Sequence, residues 1–387
     1  MRTAPVLTAL LGAATVLVGC GDPLPSSQRI ASTRVLAVRS DVIVPIAPEE
    51  DPSAPSRAQA LPFEQVRLTP FIVDPSGPIA PAMIEPVYLA CVLQPIDGLF
   101  ACLQRAIPTT LGEIPECPVP SLADLDPTSL SLPEPPSPCR IPADATDDGI
   151  QDLTIPFATT LLIGGDLEIT MIGRSGAAPS TDKCADQLLS GETQVENECI
   201  FAVTRLSIGP IERLLLLISM FGVELPPELG EVPDPADVPD GDRNTRITSF
   251  EVTVVHRDES MEAPVLVDRG GEVSVVLGDK VSIKTTAPAE ELQTYPVAVN
   301  NGESYEDRVE TYNGRWFTSW GTLLAGSSDD PESFNEWGMT PREQQEEPER
   351  PEGDVATLFY VLRDDRAGVD WWWMRVTVDP NSEAPAP

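Results

Sequence analysis

Proline is the feature that most constrains what this chain can fold into. The chain has 42 prolines among its 387 residues, about twice the usual share. Proline has no amide donor, so it interrupts helices and the interiors of sheets alike. A large helical bundle or a parallel α/β enzyme is therefore a poor fit to this sequence. We expect short antiparallel strands that are joined by long loops.

The N-terminal residues have the pattern of an export signal. Arg2 precedes an apolar run that ends in small residues and Cys20, which is typical of a secretory signal. The run is too short for a comfortable transmembrane helix. The ending Leu17-Val-Gly-Cys20 resembles the lipobox of bacterial lipoproteins. An ordinary signal peptide with an incidental cysteine is the alternative interpretation.

The lipobox resemblance implies how the protein is attached to the cell. The signal peptide 1–19 would be removed, and Cys20 would carry acyl chains such as palmitate that anchor the protein in a membrane. Each methylene that enters the bilayer contributes roughly 0.8 kcal/mol, so several chains hold firmly. Gly21 follows the cysteine where an aspartate could stand. By analogy with enteric bacteria, we expect the outer membrane, at its periplasmic face or at the cell surface.

The remaining cysteines predict an oxidising compartment. The chain has seven cysteines, and six remain when Cys20 is set aside. An even number in an exported chain predicts disulfides. No Cys-x-x-Cys motif is present and the single histidine, His256, is distant in sequence, which disfavours zinc, haem c and thioredoxin-like chemistry. The six residues are Cys91, Cys102, Cys117, Cys139, Cys184 and Cys199.

The local sequence favours pairing between neighbouring cysteines. A Pro-Ile-Asp-Gly turn lies between Cys91 and Cys102, which predicts a hairpin that brings these two together. A Cys117–Cys139 bond would close the proline-rich loop, and a Cys184–Cys199 bond would close a polar one. Closing a loop of about 15 residues stabilises a fold by roughly 3 kcal/mol in the chain-entropy model.

Strand-like segments recur in both halves of the chain without a βαβ rhythm. This predicts a mainly β fold with two immunoglobulin-like antiparallel β-sandwich domains. The second half restarts like the first, because Thr245-Arg-Ile-Thr resembles Thr33-Arg-Val-Leu. Segment 211–221 is predicted as a helix or a buried strand. The proposed divisions are a signal peptide at 1–19, a tether at 20–31, a first β domain at 32–221 with a stapled Cys/Pro-rich insertion at 103–142, an acidic Pro-rich linker at 222–243, a second β domain at 244–380 and a tail at 381–387.

Four motifs besides the lipobox are informative: Thr33-Arg-Val-Leu-Ala-Val-Arg39, Gln65-Val-Arg-Leu-Thr-Pro-Phe-Ile-Val-Asp-Pro-Ser-Gly77, Arg315-Trp-Phe-Thr-Ser-Trp-Gly321 and Val361-Leu-Arg-Asp-Asp-Arg-Ala-Gly-Val-Asp-Trp371. With the lipobox, they resemble predicted lipoproteins of myxobacterial type. The resemblance implies cadherin-like or immunoglobulin-like β-sandwich domains on an outer-membrane anchor, and it brings no biochemical activity. It covers about half of the chain, and the insertion at 103–142 lies outside it.

One acidic segment is a candidate calcium loop. Positions one, three, five and nine of this segment are Asp144, Thr146, Asp148 and Asp152, and Gly149 stands at position six. This spacing resembles the calcium repeats of thrombospondin type 3 and dockerin-like loops. Oxygen donors at such spacing can surround a hard cation. Thr146 replaces the usual acid and the motif occurs once, so an ordinary acidic turn is the alternative. Ca²⁺ is the single cofactor that we consider.

The sequence offers little nucleophilic chemistry. Ser180 and Lys183 have the Ser-x-x-Lys spacing of penicillin-binding enzymes, but no partner motifs accompany them and we expect a polar loop there. A Ser-His-Asp triad would need His256, and no Gly-x-Ser-x-Gly motif supplies the serine. We therefore predict a protein that is not an enzyme.

All six tryptophans lie in the second half of the chain. On the last strand, Trp372, Met374 and the valines that follow share one face, which we expect to be the core. Trp371 and Trp373 lie on the other face. They are either covered by another element or left as a binding surface for a protein or a glycan.

Charge excludes one class of partner. The chain has 61 acidic and 25 basic residues, a net charge of −36, so nucleic acid is not an expected partner. We predict a lipid-anchored cell-envelope protein with a structural or recognition role. A calcium-dependent adhesion or carbohydrate-binding module is the first alternative. A carboxylate-based envelope hydrolase is the second, and it would need two acids that converge in a cleft.

Overall fold

The computed structural model confirms a mainly β chain that is built from stacked antiparallel sheets. Its secondary structure divides into two β-sandwiches, one in each half of the chain. The residues that it describes are 27–46, 54–94, 97–98, 100–120, 135–143, 148–162, 165–176, 179–191, 198–220, 234, 238, 240–299, 304–339 and 351–382.

The first sandwich contains eight strands, four α-helices and two short 3₁₀ helices, Pro81–Ile84 and Leu111–Glu113, in the described residues. One sheet consists of β1, β2, β3 and β6, and the other has the order β5-β4-β7-β8. The strands are β1 Arg34–Val44, β2 Gln65–Asp74, β3 Gly77–Pro78, β4 Val87–Leu93, β5 Cys139–Arg140, β6 Gln151–Thr154, β7 Asp166–Arg174 and β8 Cys199–Leu206. The helices are α1 Ala101–Ala106, α2 Thr159–Leu162, α3 Thr181–Ser190 and α4 Ile211–Met220.

The second sandwich has two five-stranded sheets and a separate hairpin of β13 and β14. One sheet has the order β10-β9-β12-β18-β16, and the other has the order β11-β20-β19-β15-β17 with β11 parallel to β20. The strands are β9 Ser249–Val255, β10 Val265–Leu266, β11 Glu272–Val275, β12 Lys280–Thr286, β13 Thr294–Val299, β14 Ser304–Val309, β15 Tyr312–Thr318, β16 Thr322–Leu323, β17 Ser327–Ser328, β18 Glu332–Gly338, β19 Val355–Asp364 and β20 Val369–Val378.

Both strand orders follow the immunoglobulin pattern. In that fold strands A, B and E share one sheet and strands C, F and G share the other. Strands β1, β2 and β6 correspond to A, B and E, and β4, β7 and β8 correspond to C, F and G. In the second half the same positions belong to β9, β12 and β18 and to β15, β19 and β20. The segments at Thr33 and Thr245, which resemble each other in sequence, thus lead into the A strand of each sandwich.

Large aromatic side chains fill the core of the second sandwich. Trp316 on β15 is fully buried, and its ring lies 4.3 Å from that of Tyr360 and 5.9 Å from that of Phe250. On β20, Met374 and Val376 are fully buried, as the period of two predicts. This face of the last strand therefore belongs to the core.

Three disulfides join the predicted pairs, Cys91–Cys102, Cys117–Cys139 and Cys184–Cys199. The hairpin that we expected around the first pair is wrong, because Cys102 lies in α1. The predicted insertion at 103–142 contains regular structure at both ends, since α1 continues to Ala106 and β5 covers Cys139–Arg140.

A second helix replaces a predicted polar loop. Helix α3 begins after Ser180, whose hydroxyl accepts a hydrogen bond from the backbone N–H of Lys183 at 3.3 Å. Serine is a favourable N-cap, and Ala185 and Leu189 bury against the outer face of the β4–β7 sheet. Farther toward the N-terminus, β6 ends at Thr154 and α2 follows it. The segment 211–221 is a helix, α4, over nearly its whole length.

The described end of the predicted tether is part of the fold. The N–H of Ile30 donates to the carbonyl of Thr318 at 2.9 Å, and the N–H of Thr318 donates to Gln28 at the same distance. Ile30 is fully buried, and the Arg29 guanidinium lies 4.8 Å above the Trp320 ring. Residues 28–30 therefore lie against the second sandwich, although they precede the first.

The two sandwiches pack face to face. Phe71 and Val73 of β2 are buried against Phe359 and Val361 of β19. The rings of Phe71 and Trp371 are stacked, with centroids 4.9 Å apart and planes within 8°. Most of the predicted linker at 222–243 lies outside the described residues, but the domains that it joins are in direct apolar contact.

No helix within the described ranges is both long enough and apolar enough to cross a membrane.

We expect Trp316→Ala to lower the free energy of unfolding by about 3–5 kcal/mol, because the substitution leaves a large cavity in a closed core. Denaturant titration followed by circular dichroism measures the change. Phe334→Ala is the matched control, since Phe334 is 62% exposed and its removal should cost about 0.5 kcal/mol or less. Equal losses in the two variants would contradict the described core.

The interface predicts coupling between Phe71 and Trp371. In a double-mutant cycle with Phe71→Ala and Trp371→Ala, we expect a coupling free energy of about 0.5–1.5 kcal/mol. The pair Phe334→Ala and Trp371→Ala should be additive within about 0.5 kcal/mol. Additivity in the Phe71 cycle would mean that the two sandwiches do not dock through these rings.

Candidate functional site

The segment that enters the second sandwich is tied to both domains. The carbonyl of Asp242 accepts hydrogen bonds from the backbone N–H groups of Ala58 and Gln59 at 2.8 and 3.2 Å. The side-chain amide of Asn244 donates to the carbonyl of Ser40 at 2.7 Å, and its oxygen accepts from the N–H of Val369 at 3.1 Å. Residues 242–244 therefore hold the first sandwich to the β19–β20 turn.

Three carboxylates converge at this junction. Asp242 precedes β9, Glu310 lies between β14 and β15, and Asp364 ends β19. One carboxylate oxygen of each lies within 4.8 Å of the others. Asp242 is fully buried, Glu310 is 4% exposed and Asp364 is half-buried. Within the described residues, this is the group of side chains whose donor atoms could surround a metal ion.

A single guanidinium faces the three acids. Arg366 donates to Glu310 at 2.9 Å and to the side-chain oxygen of Gln59 at 2.8 Å, and it lies 4.0 Å from Asp242. The other oxygen of Glu310 accepts from the N–H of Gln293 at 2.8 Å. Three ionised carboxylates and one guanidinium would leave two negative charges at a buried site.

The two aspartates differ in their hydrogen bonding. One oxygen of Asp364 accepts the backbone N–H groups of Arg366, Ala367 and Gly368 at 3.0, 2.9 and 2.9 Å. Neither side-chain oxygen of Asp242 accepts a hydrogen bond from any described residue. A buried carboxylate without such bonds is strongly disfavoured in its charged form. Asp242 is therefore the least satisfied member of the cluster.

Burial changes the acidity of both aspartates. Burial, followed by the negative charge of Asp364, raises the pKa of Asp242 to about 8, although Arg366 opposes the shift. Burial also raises the pKa of Asp364 to about 6, and its backbone hydrogen bonds oppose this. At neutral pH the isolated cluster therefore holds a proton.

A cavity of about 400 Å³ opens beside the cluster. It is lined by Glu310, Asp364 and Tyr312, and by residues of the 243–246 segment. The donors that face one another are all carboxylate oxygens, which suit protons or hard cations. General acid–base chemistry by a pair of acids would require a substrate to contact both of them. Glu310 and Asp364 line the cavity, whereas Asp242 is fully buried and is not part of the lining.

The predicted tryptophan surface lies at the domain interface. Trp371 stacks on Phe71, and Trp373 packs against the same apolar cluster, with Arg375 5.6 Å above its ring. The first sandwich therefore contacts this face, on which both tryptophans remain partly exposed. Of the two alternatives for this face, the structure corresponds to cover by another element.

The candidate calcium loop is described in part. Asp144 and Thr146 lie outside the described residues. Asp148 accepts the N–H of Ile150 at 2.9 Å, and Asp152 forms a two-pronged ion pair with Arg67 at 2.9 and 3.0 Å. Asp152 lies on β6 and is thus engaged by an arginine of the neighbouring strand β2.

The other singled-out residues have local partners. Ser180 and Lys183 form the cap of α3 and are exposed. His256 follows β9, with Nδ1 3.1 Å from Asp279 and Nε2 3.4 Å from Glu262. Neither place has the convergent geometry of a nucleophilic site. Cys20 lies outside the described residues.

Comparisons with known proteins add little. No family model matches the chain, and no curated protein matches it. Among solved structures, the crystal structure of dimeric latent PorU from Porphyromonas gingivalis aligns at 9% identity with a TM-score of 0.19. The match covers 91% of this chain and 34% of the PorU chain, so the chain spans about a third of that protein's length. A TM-score this low carries no argument about fold or function.

The cluster predicts a pH-dependent stability. A pKa that is raised in the folded state means that the folded protein binds the proton more tightly, so the contribution to stability is lost as the pH rises. For Asp242 the loss spans the range between its ordinary value of 3.8 and about 8. In buffer with a chelator, we expect the melting temperature to fall as the pH rises through the upper part of this range.

Substitution of Asp242 tests whether this residue is responsible for the pH dependence of the melting temperature. Asp242→Asn should flatten the pH dependence and should melt higher than the wild type at the alkaline end. Asp258→Asn, at an exposed acid with its own local hydrogen bonds, is the control and should keep the wild-type slope. A wild-type slope in Asp242→Asn would assign the pH dependence to other groups.

Proposed function

We propose that this protein is a non-enzymatic, lipid-anchored protein of the outer membrane with a structural or recognition role. The observation that carries the proposal is the docking of the N-terminal segment and of both sandwiches into one body. Ile30 is buried on the second sandwich, and Phe71 stacks on Trp371 across the interface. Such packing suits a rigid element that presents or supports a surface.

The docked segment limits the distance between body and membrane. Eight residue steps separate Cys20 from Gln28 (28 − 20 = 8), and a fully extended chain spans at most about 3.6 Å per residue. The fold would therefore be held within roughly 29 Å of the lipid anchor. The end of the second sandwich near Thr318 and Trp320 would face the membrane.

A carboxylate hydrolase is less well supported. The acids do converge, as hydrolysis would require. However, Asp242 is fully buried and both oxygens of Glu310 are engaged, by Arg366 and by Gln293. A glycosidic bond would have to reach these groups through the domain junction.

The anchor is tested by fractionation and intact mass in a Gram-negative host. We expect the wild-type chain in the outer-membrane fraction, with a mass that begins at Cys20 and includes several acyl chains. Cys20→Ala should lack the acyl mass and leave the membrane fraction. Wild-type protein without lipid, or Cys20→Ala protein that remains in the membrane fraction, would contradict the anchor.

The docking of the N-terminal segment, which limits the distance between the fold and the membrane, is tested separately by limited proteolysis. Trypsin should cleave the wild type slowly after Arg29, because the next residue is buried and hydrogen-bonded to Thr318. Ile30→Asp should release the segment and accelerate this cleavage. Ala31→Asp is the control, since Ala31 is exposed, and it should behave like the wild type. Equal cleavage in all three would mean that the segment is not docked.

A further inference from the structure

The cluster of Asp242, Glu310 and Asp364 is not explained by anchoring or by domain packing. Burying three acids against one arginine is costly, and an apolar contact could hold the domains together without them. Asp242 is the informative member, because it is 0% exposed and neither of its side-chain oxygens accepts a hydrogen bond from a described residue. The guanidinium of Arg366 is 4.0 Å away, which makes an ion pair but no hydrogen bond to either oxygen.

We propose that Asp242, Glu310 and Asp364 bind a divalent cation of calcium chemistry at the junction of the two sandwiches. This site is distinct from the acidic segment at 144–152. It is formed by three segments of the second half of the chain, and one of them is the segment that enters the second sandwich from the linker.

The spacing of the acids fits one ion. Calcium binds oxygen at about 2.3–2.6 Å, so two oxygens on opposite sides of the ion are about 5 Å apart. One oxygen of each acid lies within 4.8 Å of the others. The three oxygens are therefore no farther apart than the oxygen ligands of one calcium ion.

The charges also balance with a divalent ion. Three carboxylates and the Arg366 guanidinium sum to −2, and a doubly charged cation makes the site neutral. No cysteine or histidine belongs to the cluster. A set of donors that contains oxygen alone favours calcium over zinc, and magnesium demands a stricter octahedron.

The ion would strengthen the contact between the domains. The backbone carbonyl of Asp242 accepts the N–H groups of Ala58 and Gln59 from the first sandwich. A cation on the carboxylate of the same residue fixes that peptide relative to β19 and to the β14–β15 loop. Binding of the ion and docking of the sandwiches are therefore linked, and each favours the other.

Calorimetric titration of the full-length protein in detergent, after removal of metal with a chelator, tests the site with CaCl₂. We expect one calcium per chain and a higher melting temperature in calcium. Asp242→Asn and, as a second variant, Glu310→Gln should each weaken binding at least tenfold and abolish the rise in melting temperature. Asp148→Asn is the matched control in the other acidic segment, and it should bind like the wild type.

Three results would overturn the proposal. The first is wild-type protein that neither releases heat nor gains melting temperature at millimolar calcium. The second is Asp242→Asn protein, folded by circular dichroism, that binds calcium as the wild type does. The third is loss of binding in Asp148→Asn with normal binding in Asp242→Asn, which would assign the ion to the 144–152 segment. The fractionation result for Cys20 is independent of all three.

Discussion

The apolar contact between the β1–β2 sheet and the β19–β20 sheet is the interaction on which the rest of the structure depends. Each sandwich has its own core, but the stacking of Phe71 on Trp371 covers a face of the last strand that would otherwise meet water. The same contact brings residues 57–59 against Asp242 and removes that carboxylate from solvent. Apolar burial at the interface thus also buries the carboxylate of Asp242, whose charged form is disfavoured away from water.

The charged junction and the apolar interface differ in how their contributions to stability depend on pH and on ions. Packing of rings and branched side chains is favourable at any pH, whereas the acids around Arg366 are tolerated only when protons or a cation neutralise them. The free energy of docking therefore depends on the pH and on the cations in solution, although the apolar packing of the interface does not. A protein in the cell envelope is exposed to external pH and ions, so this dependence bears on how rigid the protein is where we propose that it resides.

Much of the β architecture could be predicted because strands carry a local signal. Alternation along β20 identified Met374 and Val376 as core residues, and short sequence separation favoured the cysteine pairs. Helix α3 was missed because its signal is the Ser180 cap and a narrow apolar stripe within polar residues. The cluster of Asp242, Glu310 and Asp364 could not be found at all, since nothing distinguishes these three acids among 61 until the fold brings them together. Cover by another element was one of the two alternatives for Trp371. Nothing in the local sequence around Phe71 indicated that this residue would supply the contact.

The separation of disulfides from tryptophans has a practical consequence. All three disulfides lie in the first sandwich, and all six tryptophans lie in the second half of the chain. A thiol reductant therefore acts on one half, while indole emission reports on the other. Trp316 and Trp337 sense the core of the second sandwich, and Trp371 senses the surface that it shares with the first. Tryptophan emission can therefore distinguish undocking of the two halves, which exposes Trp371, from unfolding of the second sandwich, which also exposes Trp316 and Trp337, without any added label.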